Sequence, residues 1–208
     1  MRILAHVLAL VLIAPAAQTA AATLTVTVKT PSGQPVKDAV VTLPAAGQPA
    51  PARFDAPLRM SQQNIQFDPF VLIAPVGADV AFPNLDKVRH HVYSFSPTKK
   101  FELKLYGHDE TRVIHFDKTG TVALGCNIHD TMIGFIRVVD TPYAAKTNAA
   151  GVAVLHDVPA GRTELGVWHP YLKGRDNEMT AAITVPAQGD AAETVTTDVR
   201  PPPPMAMH

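Results

Sequence analysis

Short runs in which apolar and polar residues alternate dominate this chain, and turn residues separate them. Alternation over four to eight residues is typical of a β-strand with one buried face. No segment beyond the first 22 residues has convincing helical periodicity, so the pattern predicts an all-β protein. The predicted strands are Leu24–Val28, Val36–Leu43, Asn64–Phe67, Val71–Ala74, Asp79–Phe82, His90–Phe95, Phe101–Tyr106, Arg112–Phe116, Thr121–Cys126, Ile133–Val139, Gly151–Leu155, Glu164–Trp168 and Thr180–Val185.

The N-terminus has a different pattern, that of a secretory signal peptide. Arg2 precedes the apolar run Ile3–Ala14, and Ala20–Ala22 offers a small-residue cleavage site. The run is shorter than the roughly 20 apolar residues that a membrane span needs. A membrane anchor is the alternative. We expect residues 1–22 to be removed and the mature protein to be periplasmic, without a membrane span.

The spacing of the strands suggests two units. Strands that recur at regular intervals after a proline- and alanine-rich connector are typical of a β-sandwich. The segments on either side of this middle unit are each too short for a sandwich of their own. The predicted divisions are a signal peptide 1–22, the N-terminal part of a flanking β-sandwich 23–52, a middle domain 53–140, the C-terminal part of the flanking sandwich 141–198 and a disordered tail 199–208.

Insertion of a domain into an exposed loop costs little loop-closure entropy. We therefore expect the two flanking segments to form one small β-sandwich together, with Trp168 in its core. The alternative is that these segments merely extend the middle domain.

Charge and cysteine content narrow the classes of partner and chemistry. The 18 Lys and Arg residues balance 18 Asp and Glu residues, which gives no reason to expect nucleic acid or an anionic membrane as a partner. Cys126 is the only cysteine, so in an exported protein it has no partner for a disulfide within the chain. A buried cysteine that acts as a small apolar residue is the plain alternative.

The neighbours of Cys126 indicate a metal site instead. His129 and Met132 follow it at intervals of three residues, and the pair His90 and His91 lies upstream in a predicted strand. Two imidazoles, one thiolate and a weak thioether are the ligands of a blue-copper electron-transfer site. Alternation also places Cys126 on the apolar face of its strand, where the thiol is protected from water. The sequence therefore predicts one copper ion per chain.

The middle segment, from about residue 64 to residue 139, resembles plastocyanin- and amicyanin-type cupredoxins. The two-residue gaps on each side of His129 are more similar to amicyanin, because the plastocyanin loop is longer. The resemblance implies a Greek-key β-sandwich. The motifs that carry it are Phe67-Asp68-Pro69, residues 76–84, His90-His91-Val92, Gly120-Thr121-Val122 and Cys126-x-x-His129-x-x-Met132.

The resemblance also selects between the two upstream histidines. In cupredoxins the first ligand follows a strand-ending asparagine by six residues, and His90 follows Asn84 at that interval. His91 stands where these proteins have an asparagine, which puts in doubt the hydrogen bond that usually ties this strand to the cysteine loop. We expect His91 to be exposed or to support the site from outside. The implied copper ligands are His90, Cys126, His129 and Met132, the last as a long axial ligand.

The flanking segments resemble carboxypeptidase-regulatory-like β-sandwich domains in short turn motifs. These motifs lie at residues 33–43, 147–151 and 157–161. The resemblance agrees with a discontinuous sandwich that carries the copper domain as an insertion.

Together these resemblances imply a function in electron transfer rather than catalysis. We expect an exported type 1 copper protein that carries single electrons between transient protein partners, with His129 at an apolar surface as the electron port. An amine dehydrogenase or a cytochrome is a possible partner by analogy. The alternative is a copper-binding module for storage, delivery or sensing. A cysteine hydrolase or a structural zinc site fits less well, because a buried thiol and a thioether suit neither.

Overall fold

The computed structural model describes residues 22–45 and 57–202. Nearly all the regular structure there is β-strand, which confirms the predicted all-β class, and one 3-10 helix lies at Arg175–Asn177. The predicted signal peptide, apart from Ala22, lies outside the described residues, as do most of the connector and residues 203–208 of the predicted tail. The strands are β1 Ala22–Lys29, β2 Val40–Thr42, β3 Ser61–Gln63, β4 Gln66–Asp68, β5 Val71–Pro75, β6 Ala78–Pro83, β7 His90–Ser96, β8 Lys99–Tyr106, β9 Thr111–Phe116, β10 Gly120–Gly125, β11 Ile133–Val139, β12 Ala144–Lys146, β13 Val152–Val158, β14 Gly161–Trp168, β15 Glu178–Val185 and β16 Ala191–Thr196.

Strands from the middle of the chain form one β-sandwich. A five-stranded sheet in the order β5-β11-β10-β7-β8 packs against the pairs β6-β9 and β3-β4. The alternating apolar residues of both layers meet in one buried cluster, which includes Phe82, Phe116, Val122 and Ile136. Cys126 and Met132 belong to the same cluster, so the fold places the predicted copper ligands at the edge of an apolar core.

Strands from the two ends of the chain form two further sheets. One has the order β13-β1-β16 and the other the order β12-β2-β14-β15. Their apolar faces share a second buried cluster, built around Leu24, Val26, Leu155 and Leu165. Both sheets combine strands that precede the middle sandwich with strands that follow it. The predicted domain boundaries themselves stay a prediction.

A third apolar cluster lies between the two sets of sheets. It contains Val40 and Trp168 from the terminal strands together with Val71, Ile73 and Val139 from the middle strands. The expectation that Trp168 lies in the core of the flanking sandwich was therefore wrong. Its indole packs between the two units because β14 ends where β11 passes, with the rings of Phe135 and Trp168 6.2 Å apart.

The strand predicted at Asn64–Phe67 was wrong in its first half, because β4 begins at Gln66. Asn64 and Ile65 form the two-residue turn of the hairpin β3–β4, and both have a positive φ of 56°. Two positive φ values are the geometry of a type I′ turn, in which asparagine is common but a β-branched residue is strained. These residues alternate between polar and apolar as a strand does, and the turn contains no glycine that would have indicated it.

In residues 22–45 and 57–202, no helix has the length and apolarity that a membrane span requires.

Candidate metal centre

Cys126 lies immediately after β10, where the strand leaves the sheet. Val122 and Leu124 are buried on the same face as Cys126, whereas Ala123 between them is exposed. This alternation turns the thiol toward the apolar core, and the residue is only 3% exposed. The following loop returns to β11 through a turn in which the Met132 amide donates to the His129 carbonyl, 2.9 Å away. Two adjacent strands therefore fix both ends of the loop.

His90 is the first residue of β7, the strand that lies next to β10 in the five-stranded sheet. The pairing of β7 with β8 shifts between His90 and Val92, and the three consecutive residues from His90 to Val92 are all buried. The extra residue lies in β8, because the step from His90 to Val92 matches the longer step from Tyr106 to Leu103. Alternation in β7 is kept, so His91 lies on the face of Tyr93, where Glu102 and Asn127 contact it.

His90, Cys126 and His129 meet at one point. Their candidate ligand atoms all lie within 4.8 Å of one another, and the Cys126 Sγ is 3.9 Å from the His129 Nδ1. Metal bonds of about 2.0 Å to nitrogen and 2.3 Å to sulfur hold such atoms roughly 3.5–4 Å apart. The three side chains thus stand at a spacing that one ion can bridge.

The two ring nitrogens of His90 have unlike surroundings. Its Nε2 lies 2.8 Å from a carboxylate oxygen of Asp86, while its Nδ1 is buried and has no hydrogen-bond partner. A buried polar atom without a partner is costly in a folded protein. A metal ion beside Cys126 and His129 would give that nitrogen its missing partner. The residues present therefore fit the copper ion that the sequence predicts.

The remaining predicted ligands differ in their exposure. His129 is half-buried, while Met132 is 1% exposed and packs in the apolar cluster that contains Cys126. The exposed side chains of Ile128 and Ile133 lie on the same loop or next to it, with 49% and 37% of their surface accessible. Among the four predicted ligands, His129 is therefore the one that reaches the surface.

His91 is outside the three-residue cluster, and of the two alternatives expected for it, an exposed side chain was wrong. It is 6% exposed, and its Nε2 lies 2.9 Å from an oxygen of Glu102 on β8. The amide nitrogen of Asn127 is 3.4 Å from the same Nε2. Because the carboxylate can only accept, Nε2 carries the proton, so the Asn127 amide N–H groups cannot hydrogen-bond to it. What connects β7 to the strand before the cysteine loop is the pairing of Tyr93 with Gly125.

Sequence reasoning missed Asp86, Glu102 and Asn127 as parts of the site. Asp86 and Glu102 are ordinary acidic residues in sequence; Glu102 meets His91 only because β7 pairs with β8, whereas Asp86 lies in the loop that leads into His90. Burial raises the pKa of the Asp86 carboxyl, but hydrogen bonds from Ile65, His90 and Asn64 outweigh it and hold that pKa below its usual value. Asp86 lies between Asn84 and His90, the two residues whose spacing located the first ligand. The sequence therefore did contain a signal for it.

The close packing of Gly125 against Tyr93 gives a first testable prediction. A Cβ atom at Gly125 would lie 2.6 Å from the Tyr93 Cζ, so Gly125→Ala must displace the ring or the backbone next to Cys126. We expect a loss of about 1–3 kcal/mol in the free energy of unfolding, measured by urea denaturation of the metal-free protein. The matched control is Gly107→Ala, whose Cβ would meet the flexible end of Glu110 at 3.3 Å and the Arg89 Cγ at an ordinary contact distance of 3.9 Å. Equal denaturation midpoints for the two variants would contradict this packing.

Comparisons with known proteins add three similar solved structures. A copper-containing nitrite reductase from Thermus scotoductus SA-01 is 29% identical over 57% of this chain and 28% of its own, with a TM-score of 0.40. A reduced Cu(I) form of an amicyanin mutant is 20% identical over 48% of this chain and 98% of its own, with a TM-score of 0.37. A purple cupredoxin from Nitrosopumilus maritimus is 20% identical over 39% of this chain and 99% of its own, with a TM-score of 0.36.

The matched part spans less than a third of the reductase, but almost the whole of the two smaller proteins. A comparison with protein-family models gives no match, and neither does a comparison with curated protein sequences.

Proposed function

We propose that this protein is a mononuclear copper protein that carries single electrons. The observation that carries the proposal is the meeting of His90, Cys126 and His129, whose candidate ligand atoms lie within 4.8 Å of one another. Thiolate, imidazole and thioether donors together suit copper in both of its oxidation states. Bound copper supplies the one-electron couple between Cu(I) and Cu(II).

The chain's own residues prepare this site for electron transfer. The side chain of His90 is fully buried, and Cys126 and Met132 are almost so, so water is kept from the thiol. Both ends of the cysteine loop continue into paired strands, which limits how far the donor atoms can move. A rigid donor set that changes little between oxidation states favours rapid electron exchange.

His129 is the proposed route for the electron. It is the only one of the four proposed ligands that is not buried, and the exposed Ile128 and Ile133 provide apolar area near it. A small apolar contact suits a transient protein partner. We propose a redox protein, such as an amine dehydrogenase or a cytochrome, in that role.

We further propose that the protein is exported and acts in the periplasm. The support is the pattern of Arg2, the apolar run behind it and the small residues at 20–22. The intact mass of the mature protein tests this, because cleavage near Ala22 or Thr23 removes a defined mass. A chain isolated with its first residues intact would contradict export by cleavage.

Redox cycling separates the proposed carrier from a storage or delivery protein. One equivalent of Cu(II) is added to the purified mature protein, followed by repeated reduction with ascorbate and oxidation with ferricyanide. We expect one copper per chain and full recovery of an intense visible absorption in each cycle. Loss of copper on reduction, or several coppers per chain, would favour storage. Steady consumption of nitrite with a reductant would instead indicate an enzyme.

A further inference from the structure

The loop between β6 and β7 holds one acidic side chain in a fixed position beside the site. Asn84 is fully buried, and its amide donates to the carbonyls of Val88 and Tyr106 at 2.9 and 3.0 Å. Its side-chain oxygen accepts the amide of Asp86 at 2.9 Å. Asn84 thus ties the loop at three points, and the Asp86 side chain is left only 14% exposed.

The Asp86 carboxylate accepts three hydrogen bonds from two separate parts of the sandwich. The backbone amides of Asn64 and Ile65 donate to its two oxygens at 2.7 and 2.9 Å. The His90 Nε2 lies 2.8 Å from the oxygen that also accepts from Ile65. Because both oxygens are held, the carboxylate cannot rotate away from the histidine.

The strained turn supports the same conclusion independently. Ile65 is β-branched and has a φ of 56°, which such a residue adopts only when its surroundings impose it. The two amides that face Asp86 belong to this turn. The carboxylate therefore stabilises an unfavourable backbone conformation and the orientation of a histidine at the same time.

The contact determines which nitrogen of His90 is free. An ionised carboxylate only accepts hydrogen bonds, so the proton must be on Nε2. The lone pair is then on Nδ1, the buried atom that lacks a partner next to Cys126 and His129. A carboxylate behind a ligand histidine fixes its tautomer and raises its basicity.

We propose that Asp86 is a positioning residue for the copper site, one that presents the His90 Nδ1 to the metal and stabilises Cu(II) more than Cu(I). The proposal rests on the proposed copper function. The negative charge reaches the metal through the imidazole, and it favours the oxidation state with the higher positive charge. Asp86 itself does not touch the metal.

The test uses Asp86→Asn in a background that removes the strain. The background substitution Ile65→Gly gives the turn an asparagine followed by a glycine, a pair that adopts a type I′ turn readily, so the hairpin no longer depends on the carboxylate. Asp86→Asn is then compared with Asp79→Asn in the same background. Asp79 contacts the His115 Nδ1 at 2.8 Å, as Asp86 contacts His90, but on the exposed surface.

We expect Asp86→Asn to weaken Cu(II) binding about 10–100-fold relative to Ile65→Gly alone. Cu(I) binding should weaken less, and each tenfold difference between the two raises the reduction potential by about 59 mV. Asp79→Asn should change neither the affinity nor the potential. Equal copper affinities and potentials in the two asparagine variants would overturn the proposal.

The metal-free protein provides a readout that does not depend on copper. Long-range 1H–15N spectra of the histidine rings should show His90 protonated at Nε2 and bare at Nδ1, and Asp86→Asn should produce a mixture of tautomers. A proton on Nδ1 in the unaltered protein would overturn the proposal, whether or not the variant folds. If the protein binds no copper, the proposed function fails, while these spectra still decide whether Asp86 orients His90.

Discussion

Replacing Cys126 by serine should abolish the intense visible absorption of the copper-loaded protein. The absorption arises from charge transfer between a thiolate and Cu(II), and a serine hydroxyl stays protonated and is a much harder donor. The affinity for copper should fall by more than the roughly 10–100-fold that loss of an outer partner costs. The measurement is a visible and electron paramagnetic resonance titration of both proteins with Cu(II).

The control for Cys126→Ser must separate loss of the ligand from loss of the fold. Residue 126 is 3% exposed, so a buried hydroxyl without a partner would cost about 1–3 kcal/mol. Cys126→Ala avoids this polar group and should also be colourless. Urea denaturation of both metal-free variants checks that they fold. A blue adduct that survives in either variant would exclude Cys126 as the copper thiolate.

His90→Gln should remove the type 1 spectrum, whereas His91→Gln should largely keep it. The two histidines are adjacent and both buried, but only His90 belongs to the cluster with Cys126 and His129. The His91 Nε2 lies 2.9 Å from Glu102, on the neighbouring strand. Glutamine is close in size to histidine and neutral, so each variant serves as the control for the other.

The readouts are the copper-to-protein ratio after dialysis and the hyperfine splitting of the Cu(II) signal. We expect His90→Gln to give a weakly bound copper with a large splitting, since one equatorial imidazole is missing. The reverse pattern would show that His91 is the ligand. Equal loss in both variants would show that the site depends on the packing of both histidines and not on one ligand.

The strands with strict alternation were predictable because their signal is local. β1, β5, β6 and β11 lie within a residue or two of their expected ends, and each carries apolar side chains on one face. β12 and β16 were missed, since neither has a strong pattern of its own. β16 pairs in parallel with β1, which precedes it by more than 160 residues, and no local signal reports such a partner.

The chemistry of the candidate site follows from the amino-acid sequence. The donors Cys126, His129 and Met132 lie in one short segment after an alternating strand, so their proximity follows from the connectivity of the chain. The choice of copper follows from the same residues, because their sulfur and nitrogen donors together suit that metal.

Only folding adds His90 to the site and positions the Asp86 carboxylate beside it. His90 and His91 lie on opposite faces of β7 and are both buried, so burial alone does not identify the ligand; the meeting of His90 with Cys126 and His129 does. Asp86 is close to His90 in sequence, but the amides that hold its carboxylate come from Asn64 and Ile65 in a turn of another hairpin. These contacts join segments that are distant in sequence, and their geometry depends on sheet register and packing, which no short pattern encodes.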